Sequence, residues 1–263
     1  MPTSAMTRAG ALCWVVAAPL FLTANVVVGR AWNDPAFSWA TNNVSDLGNV
    51  TCGIWDTTRP RYVCSPWHTA MNVAFILTAI LLIAGLLLTW RGGGAARARR
   101  ASAEGCASGG CEAGRAGLGA PADLGVRADL GVHAGLGVRA GRWLMLGGAA
   151  GLGLVGAFPA DVDENIHLLA ALLVFVCGNL GLVAMGIGMP RSRLRPVTVT
   201  FGVLGVSGSA LFIAQQGLGL GIGGMERVAV FPLTVWACCA GVHLLSRGRG
   251  VMTAGRPGAL TRA

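Results

Sequence analysis

The stretch His68–Trp90, HTAMNVAFILTAILLIAGLLLTW, decides the fold. It contains no Asp, Glu, Lys or Arg. At about 1.5 Å per residue, a helix of this length crosses the roughly 30 Å hydrocarbon core of a bilayer. Five further windows of mainly apolar residues accompany it, at 9–29, 143–158, 167–189, 197–215 and 228–245. Lipid offers the backbone no hydrogen-bond partner, so a chain that crosses repeatedly does so as helices. The expected fold class is therefore all-α, a polytopic membrane protein built as a bundle of six transmembrane helices.

The composition agrees, with 54% hydrophobic and only 12% charged residues, too few charges to cover a soluble surface. The first window is too long for the apolar part of a cleavable leader, so a retained first helix is expected. The third window is the shortest. It carries Gly147 and Gly151, a GxxxG spacing that lets two helix backbones approach closely.

Arg placement orients the bundle, because loops on the cytoplasmic side hold the positive excess. The chain has no Lys, and with the N-terminus inside, sixteen of its twenty Arg fall in inner segments. The outer segments hold only Arg30, Arg59, Arg61 and Arg227. An N-in/C-in topology follows. The net charge of +9 is thus a topology signal. Basic and aromatic residues do not interleave as they do on nucleic-acid surfaces, so nucleic acid is set aside and membrane lipids are the expected partners.

The chain divides into residues 1–91, two helices with an outer loop; 92–141, an inner loop; 142–246, helices three to six; and 247–263, a cytoplasmic tail. The inner loop consists largely of Ala, Gly and Arg and repeats a six-residue unit, DLGVRA, DLGVHA, GLGVRA, ending at Ala140. It lacks the residues needed to build a core and is expected to be disordered, with His133 discounted as a ligand. The outer loop, 31–67, holds Trp32, Trp39, Trp55 and Trp67, residues suited to the membrane interface. Cys52 and Cys64 lie in it on the side where disulfides persist, and a bridge between them would stabilise the loop by about 2–4 kcal/mol.

Polar chemistry collects at the outer helix ends. Ser45 and Asp46 sit in the outer loop, His68 and Asn72 open the second helix, Asp163 and His167 open the fourth, and Glu226 with Arg227 opens the sixth. Spacings of four place His68 with Asn72, and Asp163 with His167, on single helix faces that can converge on an outward-facing cavity. These eight residues are the candidate ligand-binding set. Capping competes with that reading: Ser65 before Pro66 fits an N-cap, and Asp161 with Glu164 fits a capping box. Asn25 and Asn179 lie deeper, where helix-to-helix hydrogen bonds are expected.

No HExxH, P-loop, GxSxG or CxxC occurs, nor a GxGxxG opening a soluble helix. Neither a metal, a cofactor nor a catalytic residue is therefore assigned. The leading functional reading is the binding or transport of a lipid or amphipathic small molecule. The alternatives are a membrane-embedded lipid hydrolase or transferase with His68 or His167 as general base, and a non-catalytic assembly or signalling subunit.

Four segments carry a family resemblance: NNVSDLG (42–48), the Cys52 and Cys64 pair running into CSPWHTAMN (64–72), FPADVDENIHLLAALLVFVCGNL (158–180) and GMERVAVFPLTVW (224–236). Together they resemble the bacterial membrane proteins grouped as domain of unknown function 998. The resemblance implies a compact helical membrane domain in a bacterial inner or plasma membrane. It marks Ser45, Asp46, Cys52, Cys64, Asn72, His167, Asn179, Glu226 and Arg227 as the characteristic polar positions and implies no activity. The long repeat-bearing inner loop departs from the family pattern.

Overall fold

The computed structural model describes residues 5–107 and 122–253. Helices dominate, as a lipid-solvated backbone requires. They are α1 (Ala5–Ala31), α2 (His68–Ala107), α3 (Ala122–Ala157), α4 (Glu164–Leu172), α5 (Asn179–Gly188), α6 (Leu194–Ile213) and α7 (Gly221–Thr253). A π-helical turn, Leu173–Gly178, joins α4 to α5, so the two form one continuous rod.

Five rods are long and apolar enough to cross a membrane: Ala5–Ala31, His68–Trp90, Glu164–Gly188, Leu194–Ile213 and Gly221–Arg247. The Gly-rich α3 is not among them by that measure, yet it packs between α2 and α5 as the sixth member of the bundle. Both α2 and α3 extend into the segment expected to be disordered, α2 to Ala107 and α3 from Ala122, while 108–121 lie outside the described residues.

The six rods form a closed ring in which chain neighbours are spatial neighbours. The order is α1, α2, α3, α4–α5, α6, α7, and α7 closes back onto α1. Adjacent rods run antiparallel: Phe21 of α1 meets Phe75 near the start of α2, while Gly10 meets Thr89 further along. Thr7, Thr89, Arg142, Leu194 and Leu244 consequently collect at one end. The loops at 32–67, 158–163 and 214–220 lie at the other.

Side chains sort by size as much as by polarity. Large apolar groups such as Val16, Ile80, Leu169, Ile187 and Val203 point outward, as lipid permits. Aromatic groups fill the ring's centre, where Trp14 meets Trp236 at 5.4 Å and Phe21 touches both Phe75 and Phe231. Close helix approach depends on glycine, though not on the expected pair. A Cβ at Gly151 would stand 2.6 Å from the Ala170 carbonyl, and one at Gly148 would stand 2.6 Å from Gly178 Cα. Gly147 has ordinary room, its nearest neighbour being Cys177 Cβ at 3.7 Å. The contact stripe therefore runs through 148 and 151.

Asn179 ties three rods together, as expected of a deep amide. Its Nδ2 donates to the carbonyls of Phe175 and Ala229 at 2.9 Å and to Ser209 Oγ at 3.2 Å. The Ser209 hydroxyl has its shorter bond to the Gly205 carbonyl, at 2.7 Å, and lies 3.3 Å from the Phe175 carbonyl at the π-helical turn. Asn25 instead donates within its own helix, to Phe21.

Candidate functional site

The outer loop folds into a compact cover over one end of the ring. A 3-10 turn, Ser45–Gly48, leads into a hairpin of β1 (Gly53–Trp55) and β2 (Arg61–Val63), paired Gly53 to Val63, Ile54 to Tyr62 and Trp55 to Arg61. The expected bridge between Cys52 and Cys64 closes the base of this hairpin. Its tip is set by Asp56, which takes a left-handed conformation at φ 74° and accepts from the Thr58 N–H and hydroxyl and from the Arg59 N–H. The bond from the Thr58 hydroxyl is the main reason the Asp56 carboxyl stays below its ordinary range.

The hairpin returns Arg61 to Asp46. Arg61 Nε and NH2 donate to the two carboxylate oxygens at 2.7 Å each, with the side chains only 8% and 2% exposed. This is the side-on geometry that suits a guanidinium to a carboxylate. Asp46 also accepts from the Asn43 N–H at 2.8 Å, and the next amide, Val44, donates to Glu226 Oε2 at 2.5 Å. Two adjacent N–H groups are thus held by two carboxylates, one local and one from α7.

Beneath the hairpin lies an open cleft of about 580 Å³. Its polar lining includes Ser45, Asp56, Arg59, Arg61, Glu164, His167 and Gln215. Its apolar lining includes Ile54, Trp55, Leu168 and Phe212, of which Ile54 and Leu168 are 70% and 54% exposed. Ser45 and His167 also border a second, small apolar gap deeper in the ring, which Glu226 reaches as well. His167 Nδ1 donates to the Phe158 carbonyl at 2.9 Å, which fixes the ring and leaves Nε2 for other partners.

Arg59 differs from Arg61 in its company. Its guanidinium donates to the Thr41 carbonyl at 2.6 Å and to Asn43 Oδ1 at 2.9 Å, and among the described residues no carboxylate lies within 4 Å of the guanidinium nitrogens. Its Nε is buried without a hydrogen-bond partner. A guanidinium with no directly paired carboxylate therefore stands at the cleft, with Asp46, Asp56 and Glu226 acting on it from further off.

Of the eight expected residues, the structure brings Ser45, His167 and Glu226 to the cleft or the gap below it, with Asp46 directly behind as the anchor for Arg61. The others hold the frame. His68 Nδ1 bonds its own turn at the Ser65 carbonyl, 3.0 Å away, and Asn72 Nδ2 holds the Gly48 carbonyl at 2.8 Å. Arg227 donates to the carbonyls of Trp39, Asn42 and Gly223 and lies over the rings of Phe37 and Trp39.

The acidic residues before α4 depart from their expected roles. Asp163 is the cap, accepting the Ile166 N–H at 3.0 Å, whereas Asp161 reaches the outer loop and accepts from Thr51 N and Oγ1 at 2.6 and 2.7 Å. For Asp161, burial raises the carboxyl, but the bonds from Thr51 outweigh it and hold the group below its ordinary range. Ser65 does not cap α2 either; its hydroxyl donates to the Leu47 carbonyl at 2.7 Å. The sequence reading did not assign Arg59 and Arg61 to the site. Their only signal was two Arg inside the Cys52 to Cys64 loop, on the side where Arg is scarce.

Among the described residues, no three His, Cys, Asp or Glu side chains are placed to hold a metal ion together. Fold and cleft together define an integral membrane protein of apolar helices whose outer loop covers a polar cleft. The family resemblance is found independently: residues 115–243 match the model of a family described as protein of unknown function, DUF998. Two of the four motifs, at 158–180 and 224–236, fall inside that match. No curated protein and no solved structure matches the chain.

Proposed function

We propose that the outer cleft binds the polar head of a lipid or amphipathic small molecule that enters from the side, past Leu168 and Phe212. The carrying observation is Arg59, a guanidinium without a carboxylate partner at a cleft whose lining is half apolar. A head group with negative charge satisfies it, and the apolar lining suits the adjoining chain. His167 and Ser45 add hydrogen-bonding groups at the point where the cleft approaches the apolar gap. The Arg bias supports placing this end outside and both termini in the cytoplasm of a cell membrane.

Native mass spectrometry of the detergent-purified protein tests the reading. A defined adduct is expected that survives gentle delipidation and is lost in His167→Ala and Arg59→Gln while both variants keep the wild-type melting temperature. An adduct retained equally by both variants would sink the proposal. A second reading, hydrolysis of a lipid ester, draws on Ser45 and His167 lining the same cleft. It requires turnover of a fluorogenic lipid ester that disappears in Ser45→Ala.

A further inference from the structure

The outer cleft carries charges of both signs that do not meet. Arg59 lines it from the loop of the hairpin, without a directly paired carboxylate, and Glu164 lines it from the first turn of α4. Among the described residues neither a hydrogen bond nor an ion pair holds the Glu164 carboxylate, and the side chain is exposed. Glu164 stands three residues before His167, so the two lie on one face of α4. A free carboxylate in the wall disfavours a ligand that is negative throughout.

A further polar group reaches the cleft at a conformational cost. Gln215 follows the C-cap residue of α6 with φ 55°, in the left-handed region where a helix end commonly takes glycine. Among the described residues three non-glycine positions have positive φ, and two of them, Asp56 and Gln215, line this cleft. Asp adopts that conformation more readily than most residues, whereas Gln has no such local help. Backbone held in this way is a pointer to function. Gln215 Nε2 donates to the Phe212 carbonyl at 3.2 Å, which leaves the amide oxygen as a free acceptor on a cleft-lining side chain.

We infer that, given the lipid-binding reading on which this assignment rests, the cleft takes a zwitterionic head group of the phosphoethanolamine class. Its phosphate lies at Arg59, and its primary ammonium at Glu164 and the Gln215 amide oxygen. Each terminal nitrogen of Arg59 has given one N–H, to Thr41 and to Asn43, and keeps a second for the phosphate. A primary ammonium brings three N–H donors to two acceptors that have none. Choline carries the same charge without an N–H and would leave both unfilled. The rings of Trp55 and Phe212 attract either cation and so do not choose between them.

The test mixes the full chain, in a non-ionic detergent, with phosphatidylethanolamine, phosphatidylglycerol and phosphatidylcholine of identical acyl chains and reads retention by native mass spectrometry. Phosphatidylethanolamine is expected to be retained about tenfold more than either of the others, the worth of one hydrogen bond to a charged group. In Glu164→Gln its lead over phosphatidylglycerol should vanish, and in Arg59→Gln all three lipids should weaken together. Gln215→Gly should cut the lead about threefold while keeping or raising the melting temperature, because glycine relieves the left-handed backbone. Phosphatidylglycerol retained as tightly as phosphatidylethanolamine would overturn the zwitterionic assignment, although loss of both in Arg59→Gln would still uphold the cleft as a lipid site. Retention of none of the three would remove both readings. Phosphatidylcholine retained equally would remove the hydrogen-bonded ammonium. Soluble glycerophosphoethanolamine is expected to compete only in large excess, since it offers no chain to Leu168 and Phe212. Competition at lipid-like concentration would mean a water-borne ligand and overturn the lipid source. The wild-type ranking needs no variant, so a substitution that fails to fold leaves the outcome decidable.

Discussion

The backbone N–H of Val44 donates to Glu226 Oε2 at 2.5 Å, across 182 residues of chain. Together with the bonds of Arg227 to the Trp39 and Asn42 carbonyls and of the Gly223 N–H to the Ala40 carbonyl, it fastens the outer loop to the first turns of α7, and Glu226 is only 5% exposed. Removing the acceptor strands a buried N–H, which costs about 1–3 kcal/mol. Glu226→Ala is therefore expected to lower the melting temperature in detergent, while Glu226→Gln, whose amide oxygen accepts the same bond, recovers most of the loss. Equal damage from both changes would mean that charge, and not this bond, is what matters.

The Asp46 and Arg61 pair makes a stronger claim, because neither side chain has water to fall back on. Breaking a buried pair from one side leaves a charge uncompensated and costs about 3–5 kcal/mol. Arg61→Ala should therefore destabilise the protein severely. The double change Asp46→Asn with Arg61→Gln should cost less than the sum of the two single changes, as a double-mutant cycle by thermal melting would reveal. Additive losses would show that the two side chains act independently.

Acid sensitivity should arise in the loops at the cleft end of the ring. Asp56 and Asp161 both stand outside the membrane-spanning segments and are held below the ordinary value of 3.8. A carboxylate shifted downward contributes stability that is fully present above the unfolded value and lost as pH falls through the folded one. Melting temperature is thus expected to be insensitive to these groups from neutral pH down to about 5 and to fall below about 4. Asp161→Asn should lie below wild type at neutral pH and converge on it near pH 3. Parallel curves for the two proteins across the range would remove Asp161 as a contributor.

What the sequence made legible follows from the range of each signal. Hydropathy windows and the Cys52 to Cys64 bridge could be read because lipid burial and compartment act on every residue in the same way. Asp161 and Asp163 were assigned in the wrong order because cap geometry depends on where the helix begins, and two residues of phase exchange a cap for a cross-loop contact. Arg61 was read as a topology charge because its partner, Asp46, meets it only after the chain turns back through the hairpin at Asp56. The glycine seam was shifted by a single position, since GxxxG gives a spacing but not the face that meets the next helix.

That shift gives the last prediction its contrast. A methyl added at Gly151 would stand 2.6 Å from the Ala170 carbonyl and 2.8 Å from Leu173 Cβ, and one at Gly148 would meet the Gly178 backbone at 2.6 and 2.7 Å. Backbone cannot step aside as a side chain can, so overpacking at either position should cost about 1–3 kcal/mol. At Gly147 the nearest atom is a side-chain Cβ at 3.7 Å, and alanine is also the better helix former. Gly148→Ala and Gly151→Ala are expected to lower the melting temperature in detergent, and Gly147→Ala to leave it level or raise it slightly. If Gly147→Ala proved the most damaging of the three, α3 would have to face its neighbours through the 147 and 151 stripe, and the packing of α3 against α4 and α5 described above would be wrong.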